Sequence, residues 1–316
     1  MLRLRSARPL GRRVLTDDDA PRHEAGAKLL ALIAIFLLLI GPRVAKACVR
    51  TTVSTPAPDG VFACLFWRQR SIPVVLNAAG TPDVSGTGAF DAIRRAEQTW
   101  SHTPGSDVQL VDSGFTTDPR VGFFAQGYAN VNQVLFRSKF CTDAAPAGDP
   151  CWTSGGCNNK YDCWEQSAGT IALTTTTFNS QCGQLLDADV ELNSAGFFFT
   201  VVDSPPCPPG QASPNCVSTD VQNTVTHELG HLLGLGHSTD PNAVMYPSAP
   251  LGEISKRTLT ADDIQCIDQA YPAGQPPGVC VQCVTHGCCG GSSAAAMPWL
   301  PFLGLLTLAA RTRRFD

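Results

Sequence analysis

No cysteine precedes Cys48, although 14 occur from that point on. So one-sided a distribution points to an oxidising compartment for everything downstream. No unbroken apolar run approaches the roughly 20 residues of a typical membrane-spanning helix; residues 29–40 (LLALIAIFLLLI) supply 12. Charge is scarce at 16%, yet 43% hydrophobic residues and 28 glycines argue against bulk disorder. Positive charge is what the middle of the chain lacks most. Residues 48–271 carry 11 Lys/Arg against 22 Asp/Glu, a net charge near −11. The ends are basic: nine Lys/Arg against four acids in residues 1–47, and three arginines against one aspartate in residues 272–316. An acidic body excludes nucleic acid as the main partner, because phosphate binding needs the opposite sign. No internal repeat is visible. The body of about 224 residues suits one sizeable domain with its own core.

The apolar run follows Lys28 and precedes Ala45-Lys46-Ala47, the small-x-small pattern of a signal-peptidase site. Residues 1–47 are therefore expected to be a signal peptide, with Cys48 first in the mature chain. An uncleaved anchor is the alternative. At the other end, Cys288-Cys289-Gly290-Gly291 precedes a 17-residue, mostly apolar stretch (residues 294–310) interrupted by Pro298 and Pro301. Arg311, Arg313 and Arg314 follow, and an apolar stretch with a basic stop retains a chain at a membrane. This order resembles the C-terminal sorting tails of exported proteins of myxobacteria and their relatives, which implies processing and surface attachment; a plain C-terminal anchor is the alternative. Both readings place the body outside the cell, at the outer membrane surface or in the medium. Pro and Gly mark residues 272–293 as a linker, so the domain is expected to end near Tyr271.

Within the body, residues 72–77 (IPVVLN), 108–111, 121–124, 170–174 (TIALT) and 188–192 (ADVEL) read as strands. Residues 89–101 read as a helix with Phe90, Ile93 and Trp100 on one face and Arg94, Glu97 and Gln98 elsewhere. Two later helices are expected at 220–233 and 260–271, the second with Thr260 as N-cap and Asp262 and Asp263 in its first turn. Residues 141–163 hold four cysteines among Gly, Asn and Asp and read as a disulfide-tied loop; residues 204–215 form a Pro-rich loop. The layout is α/β with a mixed sheet.

The chemistry concentrates in residues 227–237, HELGHLLGLGH. His227 and His231 stand four apart on the predicted helix, hence on one face a turn apart, where two imidazoles can bind one zinc at roughly 2.0–2.1 Å. Glu228 is placed to take a proton from a water rather than to bind the metal. On a continued helix, His237 would sit about 240° round and about 9 Å further on. The chain must turn back, and Gly234 stands where the turn is needed. Three histidines leave a fourth position open, which is catalytic rather than structural coordination.

H-E-x-x-H-x-x-G-x-x-H, followed eight residues later by Met245 in HSTDPNAVMYP, resembles the metzincin metallopeptidases, and within them the matrixin branch. The resemblance spans roughly residues 72–271. It implies a metzincin-like α/β catalytic domain: a mixed twisted sheet, a first helix, an active-site helix and a C-terminal helix. It further implies that Met245 forms a floor beneath the zinc and that Tyr246 and Pro247 wall the specificity pocket. By the same likeness, Thr170, Ile171, Ala172 and Leu173 lie on an edge strand that pairs with an extended substrate, with main-chain hydrogen bonds supplying affinity. Asp262 and Asp263 would support the Met-turn and can receive a mature N-terminus.

Two departures stand out. No histidine occurs in residues 103–226, so the second, structural zinc of matrixins is not expected; disulfides in residues 141–182 can stabilise instead. No P-R-C-G-type propeptide motif occurs, and a Cys48–Cys64 disulfide is favoured over Cys64 as a zinc-blocking thiol. Asp187, Asp189 and Glu191 alternate, as calcium ligands or as a solvated strand face. Cys207 and Cys216 flank one loop and are expected to pair. The tail cluster of Cys280, Cys283, His286, Cys288 and Cys289 could bind zinc, though disulfide or lipid chemistry suits an exported chain better. The functional expectation is an exported zinc endopeptidase with protein or peptide substrates and a membrane-associated tail; the alternative is a catalytically silent metzincin fold that binds peptides or proteins. Intact Glu228 and three histidines count against the alternative.

Overall fold

Alternation of apolar and polar residues at 71–77 and 109–116 starts a twisted sheet whose central strands are buried on both faces. In the computed structural model of the chain, the described residues are 49–53, 62–127, 129–153 and 156–278, with the backbone of 310–315. Residues 46–316 cluster as one unit, and the other, residues 1–45, lies outside the described residues. So do the expected signal peptide, Cys48, and residues 279–309 with their cysteines and apolar stretch.

The elements are β1 (Ser71–Asn77), α1 (Gly88–Ser101), β2 (Gln109–Thr116), β3 (Gln133–Phe136), α2 (Cys141–Ala144), β4 (Ala172–Asn179) and β5 (Leu185–Leu192). After them come the short pair β6 (Phe199–Thr200) and β7 (Thr219–Asp220), then α3 (Val221–Leu232), α4 (Ala261–Ala270) and β8 (Ala310–Phe315). The main sheet runs β2-β1-β3-β5-β4-β8, and β4 is antiparallel to β5 while the other pairs are parallel. This is the expected mixed α/β architecture, with α1, α3 and α4 as the first, active-site and C-terminal helices.

The core lies between the sheet and α1 and α3. Ile93 and Trp100 of α1 are buried as expected, and the Trp100 indole N–H donates to the Thr226 carbonyl of α3 (2.7 Å). Glu97, expected off that apolar face, is buried too. Ala89, Ala92 and Ala96, all before it on α1, are buried as well, so the helix packs closely on its neighbours along this stretch.

Residues 121–124 are not a strand. Asn159 reaches across to bond both the N–H (2.9 Å) and the C=O (2.8 Å) of Val121, and Gly122 adopts φ +91° and donates to Asp189 (2.5 Å). Side chains thus satisfy the backbone that a ladder would have used. The unpredicted β3 fills the sheet between β1 and β5.

Cys141–Cys163 and Cys151–Cys157 tie the expected loop, and Cys207–Cys216 ties the Pro-rich one. The sulfurs of Cys141, Cys157 and Cys163 cluster, but all three are in disulfides and offer no thiolate to a metal. Cys64 is disulfide-bonded; Cys48, its expected partner, is outside the described residues.

Two findings concern the end of the domain. Residues 272–278, expected as linker, are stitched to the body: Ala273 N–H donates to Gly105 O (3.0 Å), Gly278 N–H to Ala270 O (2.7 Å), and Arg50 to Gly278 O (3.0 Å). The edge of β4 is not wholly open either, because β8 runs parallel to it from Thr174 to Asn179. Ala172 and Leu173 lie before that pairing, so among the described residues they keep one unpaired edge. Among the described residues no helix is long and apolar enough to cross a membrane.

Candidate metal centre

Asp220, expected as the first residue of the helix, is instead its N-cap: its carboxylate accepts from the Asn223 N–H (2.7 Å). Arg257 holds that carboxylate through Nε (2.8 Å) and Nη2 (2.6 Å), a bidentate clamp at the helix N-terminus. At the other end, the last carbonyls would be orphans in a buried helix. The Trp67 indole donates to Leu232 O (2.8 Å) and the Tyr271 hydroxyl to Leu233 O (2.8 Å). Every residue of α3 is buried, so the helix is a fixed platform.

Gly234 has φ +86°. Its N–H donates to His231 O (2.8 Å), and Leu235 N–H donates to Gly230 O (2.9 Å), which closes the helix and sends the chain back. A Cβ at Gly234 would lie 2.5 Å from the Leu65 carbonyl oxygen, so space as well as φ demands glycine. Residues 49–51 pin the returning segment: Thr51 N–H donates to Gly234 O (3.0 Å), and Gly236 N–H to Val49 O (2.8 Å).

The turn brings His237 to the other two histidines, and one ring nitrogen from each falls within 4.8 Å of the others. His227 Nδ1 lies 2.6 Å from Val244 O, and His231 Nδ1 lies 2.9 Å from Leu235 O. A carbonyl only accepts, so both Nδ1 atoms carry the proton and both Nε2 atoms present a lone pair. His227 Nε2 is buried with no hydrogen-bond partner. His231 Nε2 and His237 Nε2 are 3.1 Å apart. Two nitrogens on one tetrahedral zinc at about 2.0–2.1 Å stand roughly 3.3 Å apart. Burial, and then the charge of neighbouring histidines, lowers the pKa of His227 and His231, the latter to about 3; burial and Lys256 lower that of His237. The three are neutral at pH 7, the state a metal requires. An orphaned buried nitrogen and three converging lone pairs fit a zinc ion.

Glu228 is buried next to this cluster. Thr174 Oγ1 of β4 donates to its Oε2 at 2.6 Å. Burial raises the Glu228 pKa to about 7, against the opposing pull of Thr174 and Lys256. The Met245 sulfur packs on bare Gly230, the residue before His231, where a Cβ would come within 2.2 Å of it. Asp263 fixes that turn by accepting from Val244 N–H (2.9 Å) and Met245 N–H (3.1 Å), while also closing a capping box with Thr260. Asp262 accepts from Ser238 Oγ (2.6 Å), tying the residue after His237 to α4.

A family profile for matrixin, peptidase M10, matches residues 67–272. The chain belongs to the matrixin family. Human matrilysin is 56% identical over 46 residues, 15% of this chain and 17% of that protein. Metalloendoproteinase 1 of Glycine max is 48% identical over 59 residues, 19% of each chain. Human neutrophil collagenase is 47% identical over 51 residues, 16% of this chain and 11% of the relative. The matched segment spans under a fifth of the length of these curated relatives.

Within this matrixin, His227, Glu228, His231 and His237 come together, with Met245 and Gly234 supporting them. Ile171 lines the pocket beside Glu228; Ala172 and Leu173 open β4, while Thr170 and Ile171 fall just before the strand they were expected to lie on. Tyr246 and Pro247 continue from the Met-turn, and Tyr246 O accepts from the Lys256 ammonium. Sequence reasoning missed Thr174 as the partner of Glu228, Lys256 in the pocket, and Gly230. A glycine in mid-helix costs about 1 kcal/mol against alanine, and that cost was the available signal for Gly230. Asp187, Asp189 and Glu191 are buried, which overturns the solvated-face reading. Glu191 is taken by Arg137 (2.7 Å), and Asp189 accepts from Gly122 and Gln133 N–H.

Proposed function

We propose that this matrixin is an exported zinc endopeptidase hydrolysing peptide bonds with a water activated at Glu228. His227, His231 and His237 would hold the ion. When bound, zinc supplies Lewis acidity and brings the pKa of a water toward 7. Glu228 takes the proton of the attacking water and delivers it to the leaving amine, a task suited to a group with a pKa near neutrality. Thr174 orients its carboxylate. Ala172 and Leu173 offer unpaired main-chain groups to an extended substrate. The observation that carries the reading is the orphaned Nε2 of His227 facing two further imidazole nitrogens beside a buried glutamate. A catalytically silent binding protein has no use for a carboxylate tuned in this way.

Three disulfides in the domain agree with export, and the basic tail supports attachment at the outer surface. Calcium at Asp187 and Asp189 is a secondary reading favoured by two acids buried on one strand, and a calcium-dependent rise in Tm would support it. The principal test uses Glu228→Ala and a chelator. Wild-type cleavage of casein or a peptide library should vanish with chelation and return with zinc. The variant should keep stoichiometric zinc and lose on the order of 10²–10⁴-fold in kcat. A zinc-loaded variant cleaving at the wild-type rate would refute the assignment.

A further inference from the structure

The pocket beside the metal centre contains a buried cation that the hydrolytic reading does not use. His227 and Glu228 line it on the metal side, with Ile171, Asn223, Thr224 and Ala249, and Lys256 completes it. Lys256 is 3% exposed. Its backbone N–H donates to Asn223 Oδ1 (2.7 Å) in the first turn of α3, so its stem is anchored to the active-site helix. Among the described residues, its ammonium donates to one acceptor, the Tyr246 carbonyl, and meets no carboxylate within ion-pair distance. An ammonium has three donors. Burial lowers its pKa, while Glu253, Glu228 and Asp263 act in the opposite sense from further away. Such a cation, largely stripped of water and short of acceptors, is stabilised by an anion that enters beside it.

Resting on the peptidase reading above, we propose that Lys256 is a specificity-determining residue that receives the carboxylate of an aspartate or glutamate side chain adjacent to the scissile bond. The neighbouring acids sharpen the selection. Glu228 faces the pocket from the metal side, and Glu253 lines the adjoining cleft with its Oε1 engaged by Ser255 Oγ (2.5 Å). A guest carboxylate is therefore welcome only where it touches the ammonium directly and is repelled on either side. The adjoining cleft shares Ile171, Thr224 and Ala249 and adds the buried Thr219 hydroxyl, which has no hydrogen-bond partner among the described residues. That hydroxyl is a second donor for an acidic guest. An apolar guest would bury the ammonium further and give it no acceptor, which disfavours leucine or phenylalanine at this position.

The test is an unbiased cleavage profile of the zinc-loaded full chain on a peptide library. Paired peptides that differ only in Glu or Leu at the selected position then give a kcat/KM ratio. An acidic residue should be enriched at one position flanking the cut. Lys256→Met should reduce the Glu-to-Leu ratio roughly 10- to 100-fold, the range of a hydrogen bond between charged groups, and Lys256→Arg should retain the preference. A ratio rather than a rate is read, so a variant that merely folds less well leaves it unchanged, and an unchanged ratio overturns the inference. Zinc-dependent cleavage with an apolar preference at both flanking positions overturns it too, and leaves the peptidase reading standing. No cleavage of any library member by zinc-loaded protein would overturn the peptidase reading itself.

Discussion

Replacing Thr174 by valine should displace the acid limb of the pH profile. Its Oγ1 donates to Glu228 Oε2 at 2.6 Å, and both residues are buried. Hydrogen bonds to charged groups contribute about 1.5–3 kcal/mol, and each pKa unit corresponds to 1.36 kcal/mol. Loss of the hydroxyl should thus raise the Glu228 pKa by about one to two units. Its carboxylate already stands near 7 through burial, with Thr174 among the groups that hold it down. The ionised form is the base, so raising its pKa moves the acid limb of kcat/KM to higher pH. With a wild-type limb near 7, activity at pH 7 should fall roughly 5- to 50-fold, and it should recover toward the wild-type plateau at higher pH. A bound cation lowers the pKa in both proteins, so the difference survives zinc loading. The assay is kcat/KM against pH on one peptide, with zinc content and Tm measured in parallel. Thr174→Ser keeps the hydroxyl and should keep the wild-type limb. A Thr174→Val protein with stoichiometric zinc and an unmoved acid limb would refute the reasoning.

Gly234→Val should destabilise the domain by about 2 kcal/mol or more and weaken zinc binding, because it combines a β-branched side chain at φ +86° with a clash on Leu65 O. Denaturant titration and chelator competition read the two effects, and normal zinc affinity would show that His237 returns without this turn. Glu97→Gln should stabilise the protein at alkaline pH. Burial first, then Asp112, raises the folded-state pKa of Glu97 from 4.5 to about 7, and its Oε1 has no hydrogen-bond partner. A raised carboxyl pKa means stability present below about 4.5 and lost as pH climbs toward 7. The variant should therefore gain on the order of 1–3 kcal/mol over wild type at pH 8 and little at pH 4.5. Urea melts at the two pH values give the comparison, and an equal difference at both would discount the buried-carboxylate account.

The metal centre was legible because its determinants are local. His227, Glu228 and His231 lie within two turns of one helix, and the glycine that reverses the chain lies three residues further on, so helical periodicity and backbone sterics are enough to converge three imidazoles. The cap at Thr260 and the Cys207–Cys216 loop were readable for the same reason: each contact spans a few residues. Residues 121–124 and 133–136 were not readable from their own composition. VGFF has strand-forming side chains, but Asn159 and Asp189, far along the chain, claim its backbone, whereas the ladder forms at QVLF. Burial of charge escaped the sequence altogether. Glu97 and Asp189 look like solvent-facing residues in their local patterns, and only the packing of one element on another removes water from them. Thr174 and Lys256 are the functional instances. They stand 54 residues before and 28 residues after Glu228, and their roles arise where β4 and the segment after the Met-turn close over the active-site helix. Sequence spacing determined which groups can hold the ion. The tertiary fold decided which groups set the proton affinity of Glu228 and what a substrate side chain meets beside it, because desolvation and charge proximity depend on distances in space and not on distances along the chain.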